Sequence, residues 1–233
     1  MVLAALAAFA GAAVQSASGL GFALVLSPAL FAVMDPEEAV TAVLLLGAAL
    51  CVLVLIESHR VGTYGLARLL VPALPGLAAG VVVLAALSKE SLQVGVGLAV
   101  IVAAAWQLRH RAAVRLPAAL AGFLSGVLTT SISINGPPLA LWLESERVPP
   151  REFRATLAAA FFSLDVAGVA LIVAKKGAGT VELGKLGPLL ACVLVGYLLG
   201  AVGFRRLDPE RFSTVGLAVV ICTGVASVVA GLV

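Results

Sequence analysis

Two polar runs interrupt an otherwise apolar chain, QSASGLG at 15–21 and TTSISINGPP at 129–138. The first gathers Gln15, Ser16, Ser18, Gly19 and Gly21, the second Thr129, Thr130, Ser131, Ser133, Asn135, Gly136 and Pro137. Such residues donate hydrogen bonds without carrying charge, through hydroxyls, carboxamides and the backbone amides left bare where Gly and Pro break a helix. Donors without a cation suit an anion. The fit improves if a second helix begins at each run, near Gly21-Phe22 and Pro137-Pro138, and turns the positive end of its dipole on the ligand. Gly19, Gly21 and Gly136 would let backbone approach a ligand closely, and Pro137 suits a first helical turn, where its missing amide would be unbonded anyway. Small residues also serve simply to pack helices together in membranes, a reading that fits either run taken alone. Recurrence of the same interrupted pattern favours a binding site.

Asp165 is the one ionisable residue deep inside an apolar stretch (155–174). Acids at such depth mark a pathway, a proton relay or an internal hydrogen bond. A carboxyl out of water is cheaper neutral than charged, so Asp165 is the candidate for proton coupling, with a packed hydrogen-bonding role as the alternative. It is a poor direct ligand for an anion, which a carboxylate would repel. Arg154, at the start of the same stretch, could draw anions to a mouth but reads more simply as a topology signal. His59 and His110 fall in charged loops without metal-ligand spacing, and Cys51, Cys192 and Cys222 lie in apolar stretches without CxxC spacing. No cofactor or metal is implied.

The elements that must position these residues are membrane helices. Hydrophobic residues make up 62% of the 233 and charged ones only 12%, and mean hydropathy is +1.16, beyond soluble domains. The net charge of +3 sits in short loops, so it reports topology and gives no support to a nucleic-acid partner. Charge-free stretches at 1–34, 39–56, 69–88, 91–108, 116–143, 186–204 and 212–233 are long enough to cross or deeply enter a bilayer. The first and fifth would be about 51 Å and 42 Å long as straight helices, so each is expected to be two short helices joined at its polar run.

The chain also repeats itself. A shift of about 115 lays Gly11, Ser16, Ser18 and Gly21 over Gly126, Ser131, Ser133 and Gly136, and LSKESL (87–92) over LDPERF (207–212). Two membrane repeats follow, 1–115 and 116–233. If the interrupted stretches span fully, basic residues divide almost evenly between the two faces. If they are re-entrant hairpins, Arg60, Arg68, Arg109, Arg111, Arg115, Arg147, Arg151, Arg154, Arg205, Arg206 and Arg211 share one face, against Lys89, Lys175, Lys176 and Lys185 on the other. The positive-inside rule favours hairpins, with three transmembrane helices after each and the halves as inverted copies.

SGLGFALVLSPAL followed by DPEEAV, then GFLSGVLTTSISINGPPLALWL followed by VPPREFRATL, resembles the TauE/SafE sulfite exporter family over nearly the whole chain. The most specific part is 122–157, where the INGPP tip and the FRATL helix start occur together. The first tip departs from the family's more glycine-rich form. The resemblance implies an all-α integral membrane protein of a bacterial cell inner membrane, a secondary transporter of small anions such as sulfite or organosulfonates. A passive anion channel fits the same residues, and a homo-oligomer stays open. A non-transporting scaffold would leave two polar tips unexplained. An intramembrane serine protease, suggested by SASG (16–19) and FLSG (123–126), lacks a general base at matching depth.

Overall fold

The structure is a computed structural model that describes residues 2–108, 116–177, 183–206, 221–229 and 231. Among these, every regular element is an α-helix: α1 (Val2–Ser18), α2 (Phe22–Phe31), α3 (Pro36–Glu57), α4 (Leu66–Ala86), α5 (Lys89–Leu108), α6 (Ala118–Ile132), α7 (Gly136–Ser145), α8 (Pro150–Lys176) and α9 (Leu183–Arg206), with residues 221–229 also helical. Five of them, α3, α4, α5, α8 and α9, are long and apolar enough to cross a membrane. The chain is a multi-pass all-helical membrane protein. Arg109, Arg111, Arg115 and Arg211, counted above as one face, lie outside the described residues.

Both overlong stretches divide as their polar runs require, but the breaks are shorter than the runs. α1 continues through Ser18 and α6 through Ile132, leaving three unwound residues at each tip, Gly19 to Gly21 and Ser133 to Asn135. The cause is local. Ser16 Oγ donates to the Ala13 carbonyl, Thr129 Oγ1 to Ser125 and Ser131 Oγ to Val127, so hydroxyls in apolar surroundings bond back onto their own helix and let it continue. Each second helix then folds back on the first. A Cβ at Gly11 would meet Phe22 backbone, and Ser125 Oγ donates to the Asn135 carbonyl at 2.9 Å.

Helix pairing is reciprocal: α1 packs along α9, α4 along α6, and α3 against α8 between them. Small residues allow these approaches. Gly122 and Gly126 of α6 face the carbonyls of Leu69 and Ala73, while Gly76 and Gly80 of α4 face those of Phe123 and Val127, leaving no room for a side chain at the seam. On α9, Gly196 and Gly200 face the backbone of Phe9 and Ala13.

The ends of the bundle differ in their basic residue, arginine at one and lysine at the other. At one end Arg154 pairs with Glu57, and the Tyr64 hydroxyl donates to Glu146 at 3.1 Å, an acceptor whose bond and charge push the phenol above its ordinary range. At the other end Lys185 pairs with Glu38, and Glu37 and Lys175 line one small hollow.

Candidate functional site

The two tips meet at a small cavity of about 20 Å³, and Asp165 closes one side of it. From the first tip come Leu20 and Gly21 with the opening turn of α2, and from the second Ser133, Ile134 and Asn135 with Gly136 and Pro137 at the start of α7. A Cβ on Gly136 would lie 2.5 Å from a Leu20 methyl, so the tips touch directly across the site. Its size is far below the 300–1,000 Å³ or so of sites for larger organic ligands. A larger apolar cleft of about 510 Å³ lies between α1, α2 and 221–229, but it holds neither tip nor Asp165.

At the first tip Gly21 has φ +127°, a conformation that favours glycine, and this turns the chain sharply enough for α2 to begin at Phe22. Gln15 reaches across the hairpin, and its Oε1 accepts the Phe22 amide at 3.2 Å. The next two amides, of Ala23 and Leu24, lie in the first turn, where no intrahelical acceptor exists, and both residues line the cavity. Their partial positive charge faces inward.

The second tip is built differently. Pro137 and Pro138 carry no amide hydrogen, so among the first three positions of α7 only Gly136 offers one. Side chains supply the polarity. Asn135 Nδ2 donates to Asp165 Oδ1 at 3.0 Å, and the hydroxyls of Ser133 and Ser27 lie 3.0 Å apart, with Ser27 donating to the Ile132 carbonyl at 2.8 Å. Asn135, Ser133, Ser27 and Asp165 are all buried.

Of the residues singled out in the sequence, Gln15, Gly21, Ser133, Asn135, Gly136, Pro137 and Asp165 share the cavity wall. Thr130 does not: its hydroxyl donates to the Leu77 carbonyl across the α4–α6 seam at 2.7 Å. Ser16 and Ser131 bond back to their own helices, and Gly19 packs over the stem of Arg154. Ser18 closes α1, and its side chain lies outside what is described.

Among the wall residues that the sequence did not single out are Gly47 and Cys51 of α3, Phe161 of α8, and Leu20 of the first tip. A Cβ at Gly47 would lie 2.8 Å from Asp165 Oδ2, so this glycine makes room for the carboxyl. Counted from the prolines that open α3 and α8, Gly47 and Phe161 hold the same position, and so do Cys51 and Asp165. The four therefore face one another across the α3–α8 contact.

The described residues contain no group of His, Cys, Asp and Glu that could hold a metal ion. What converges on the cavity is a set of neutral donors, two helix N-termini and one buried acid inside a multi-pass helical bundle. The chain belongs to the sulfite exporter TauE/SafE family, whose model matches residues 3–227. No curated protein and no solved structure matches it. Membership makes the protein a sulfite exporter-type membrane transporter.

Proposed function

We propose that the chain is a secondary transporter, in export mode, of sulfite, organosulfonates or similarly small oxyanions, and that the anion binds at the membrane midplane between the two tips. The observation that carries this reading is the single small cavity into which α2 and α7 both direct their N-termini. The two halves, 1–115 and 116–233, are read as inverted repeats, a relation supported by the reciprocal pairing of α1 with α9 and α4 with α6. The grouping of Glu57, Glu146 and Arg154 at one end, and of Glu38, Lys175 and Lys185 at the other, supports re-entrant hairpins, because full spans would put Glu38 and Lys185 on opposite faces. The arginine-rich end then faces the cytoplasm of a bacterial inner membrane.

Asp165 is the proposed proton-coupling residue. A carboxylate beside the cavity would repel the substrate, whereas the neutral acid keeps its hydrogen bond from Asn135 and adds a donor. Anion uptake into proteoliposomes under an imposed proton gradient tests this. Asp165→Asn should abolish gradient-driven accumulation while leaving counterflow intact, and Asp165→Leu should impair both by stranding Asn135. Unchanged coupling in the Asn variant would remove Asp165 from the proton path. Absence of flux for every oxyanion in a panel, with folded wild-type protein, would overturn the transport reading itself.

A further inference from the structure

The two ion pairs described above share one helix. Glu38 and Glu57 both belong to α3, about 28 Å apart along its axis at 1.5 Å per residue, and Gly47 of the cavity wall lies nearly midway between them. Glu57 Oε2 meets Arg154 Nη2 of α8 at 3.1 Å, and Glu38 Oε1 meets Lys185 Nζ of α9 at 3.0 Å. Each pair therefore ties one end of α3 to a later helix of the chain, with the cavity between the two ties.

Arg154 is placed to do more than pair. The Gly19 backbone of the first tip packs over its stem, a Cβ there coming within 3.4 Å of Cγ, and Nη2 also lies 3.4 Å from the Tyr197 hydroxyl of α9. Its Nε is buried without a hydrogen-bond partner. The guanidinium thus joins α3, α8, α9 and the first tip, and Glu57 is its only carboxylate partner among the described residues. Glu57 is half exposed, and ion pairs open to water hold only by a factor of a few. Such a tie is strong enough to bias a mouth shut and weak enough to release it.

We propose that the Glu57–Arg154 and Glu38–Lys185 pairs are the two gates of the transporter, latches at opposite ends of α3 that release one at a time. With both pairs formed, as in this structure, the cavity offers a volume of only about 20 Å³. An arriving anion competes with Glu57 for the guanidinium and so loosens the latch it must pass. The proposal rests on the reading of the cavity as the transport site, and Cys51 in its wall supplies a native reporter.

In a Cys192→Ser, Cys222→Ser background Cys51 is the sole thiol, and a membrane-impermeant sulfonate-bearing methanethiosulfonate is applied to right-side-out or inverted vesicles. Glu57→Gln should raise the labelling rate about fivefold from the Arg154 side alone, and Glu38→Gln by a similar factor from the Lys185 side alone. Exchanging the charges, Glu57→Arg with Arg154→Glu, should restore slow labelling. Faster labelling from both sides, no change from either, or failure of the charge exchange to restore the rate would overturn the latches; a merely loosened fold gives the first or last of these. Methanesulfonate, which does not consume the reagent, should protect Cys51. Sided labelling without protection would count against the cavity as the anion site and leave the latches standing.

Discussion

The two tips reach one cavity by different chemistry. The first holds out backbone: Gly21 turns the chain, Gln15 takes the Phe22 amide, and the Ala23 and Leu24 amides remain for a ligand. The second withholds backbone, since Pro137 and Pro138 have no amide hydrogen, and offers Asn135, Ser133 and the neighbouring Asp165 instead. Fixed amides hold a constant partial charge. Side chains that hydrogen-bond one another can change partner and protonation state. Under the proposed function, two copies of one broken-helix pattern divide the labour, one tip holding the anion while the other responds to its arrival.

The largest effect expected from this contrast comes from filling the tips. Gly21→Leu should abolish transport and also lower stability by about 1–3 kcal/mol, because φ +127° is strained for any side chain and Val14 lies against the position. Gly136→Leu should abolish transport with stability nearly kept, since it meets the mobile end of Leu20 rather than backbone. Flux assays paired with thermal melts of the purified variants check this, and equal destabilisation would erase the distinction between a backbone tip and a side-chain tip.

A smaller effect is expected from removing one polar partner on each side. Asn135→Ala strands the Asp165 carboxyl and should shift the pH dependence of uptake, while Gln15→Ala frees the Phe22 amide and should change anion affinity without moving the pH profile. Initial rates across pH for both variants decide, and identical profiles would mean that the tips do not divide the roles. The smallest effect belongs to Thr130→Val, whose lost bond to Leu77 lies in the α4–α6 seam. It should cost about 1–3 kcal/mol of stability and leave the affinity of the folded protein unaltered.

Much of this site was legible in the sequence, and its limits have a physical cause. Gly21 and Pro137 announce helix starts because their backbone restrictions are local, and α2 and α7 begin where those residues require. Thr129, Thr130 and Ser131 read as ligand donors because residue type does not say which carbonyl a hydroxyl will find. In an apolar helix the i−4 carbonyl is the nearest one, and a neighbouring helix competes for Thr130. The approach of Gly47 to Asp165, and the placing of Cys51 and Phe161 in the same wall, depend on how α3 and α8 are rotated about their axes. Packing sets that rotation, and the nearly uniform apolar surface of α3 gives no periodic stripe from which to read it.

The reciprocal pairing of α1 with α9 has a consequence for how the protein is made. Chain emerges from a ribosome at about 5–20 residues per second, so α9 follows α1 by roughly ten to thirty seconds. Throughout that interval the first hairpin is in the membrane without the helix that will cover Phe9 and Ala13, and lipid or the insertion machinery must stand against that face. The α4–α6 seam, joining helices close in sequence, can close much sooner. Biogenesis therefore runs from the middle outward, and the first tip, synthesised earliest, is among the last parts to take its final form.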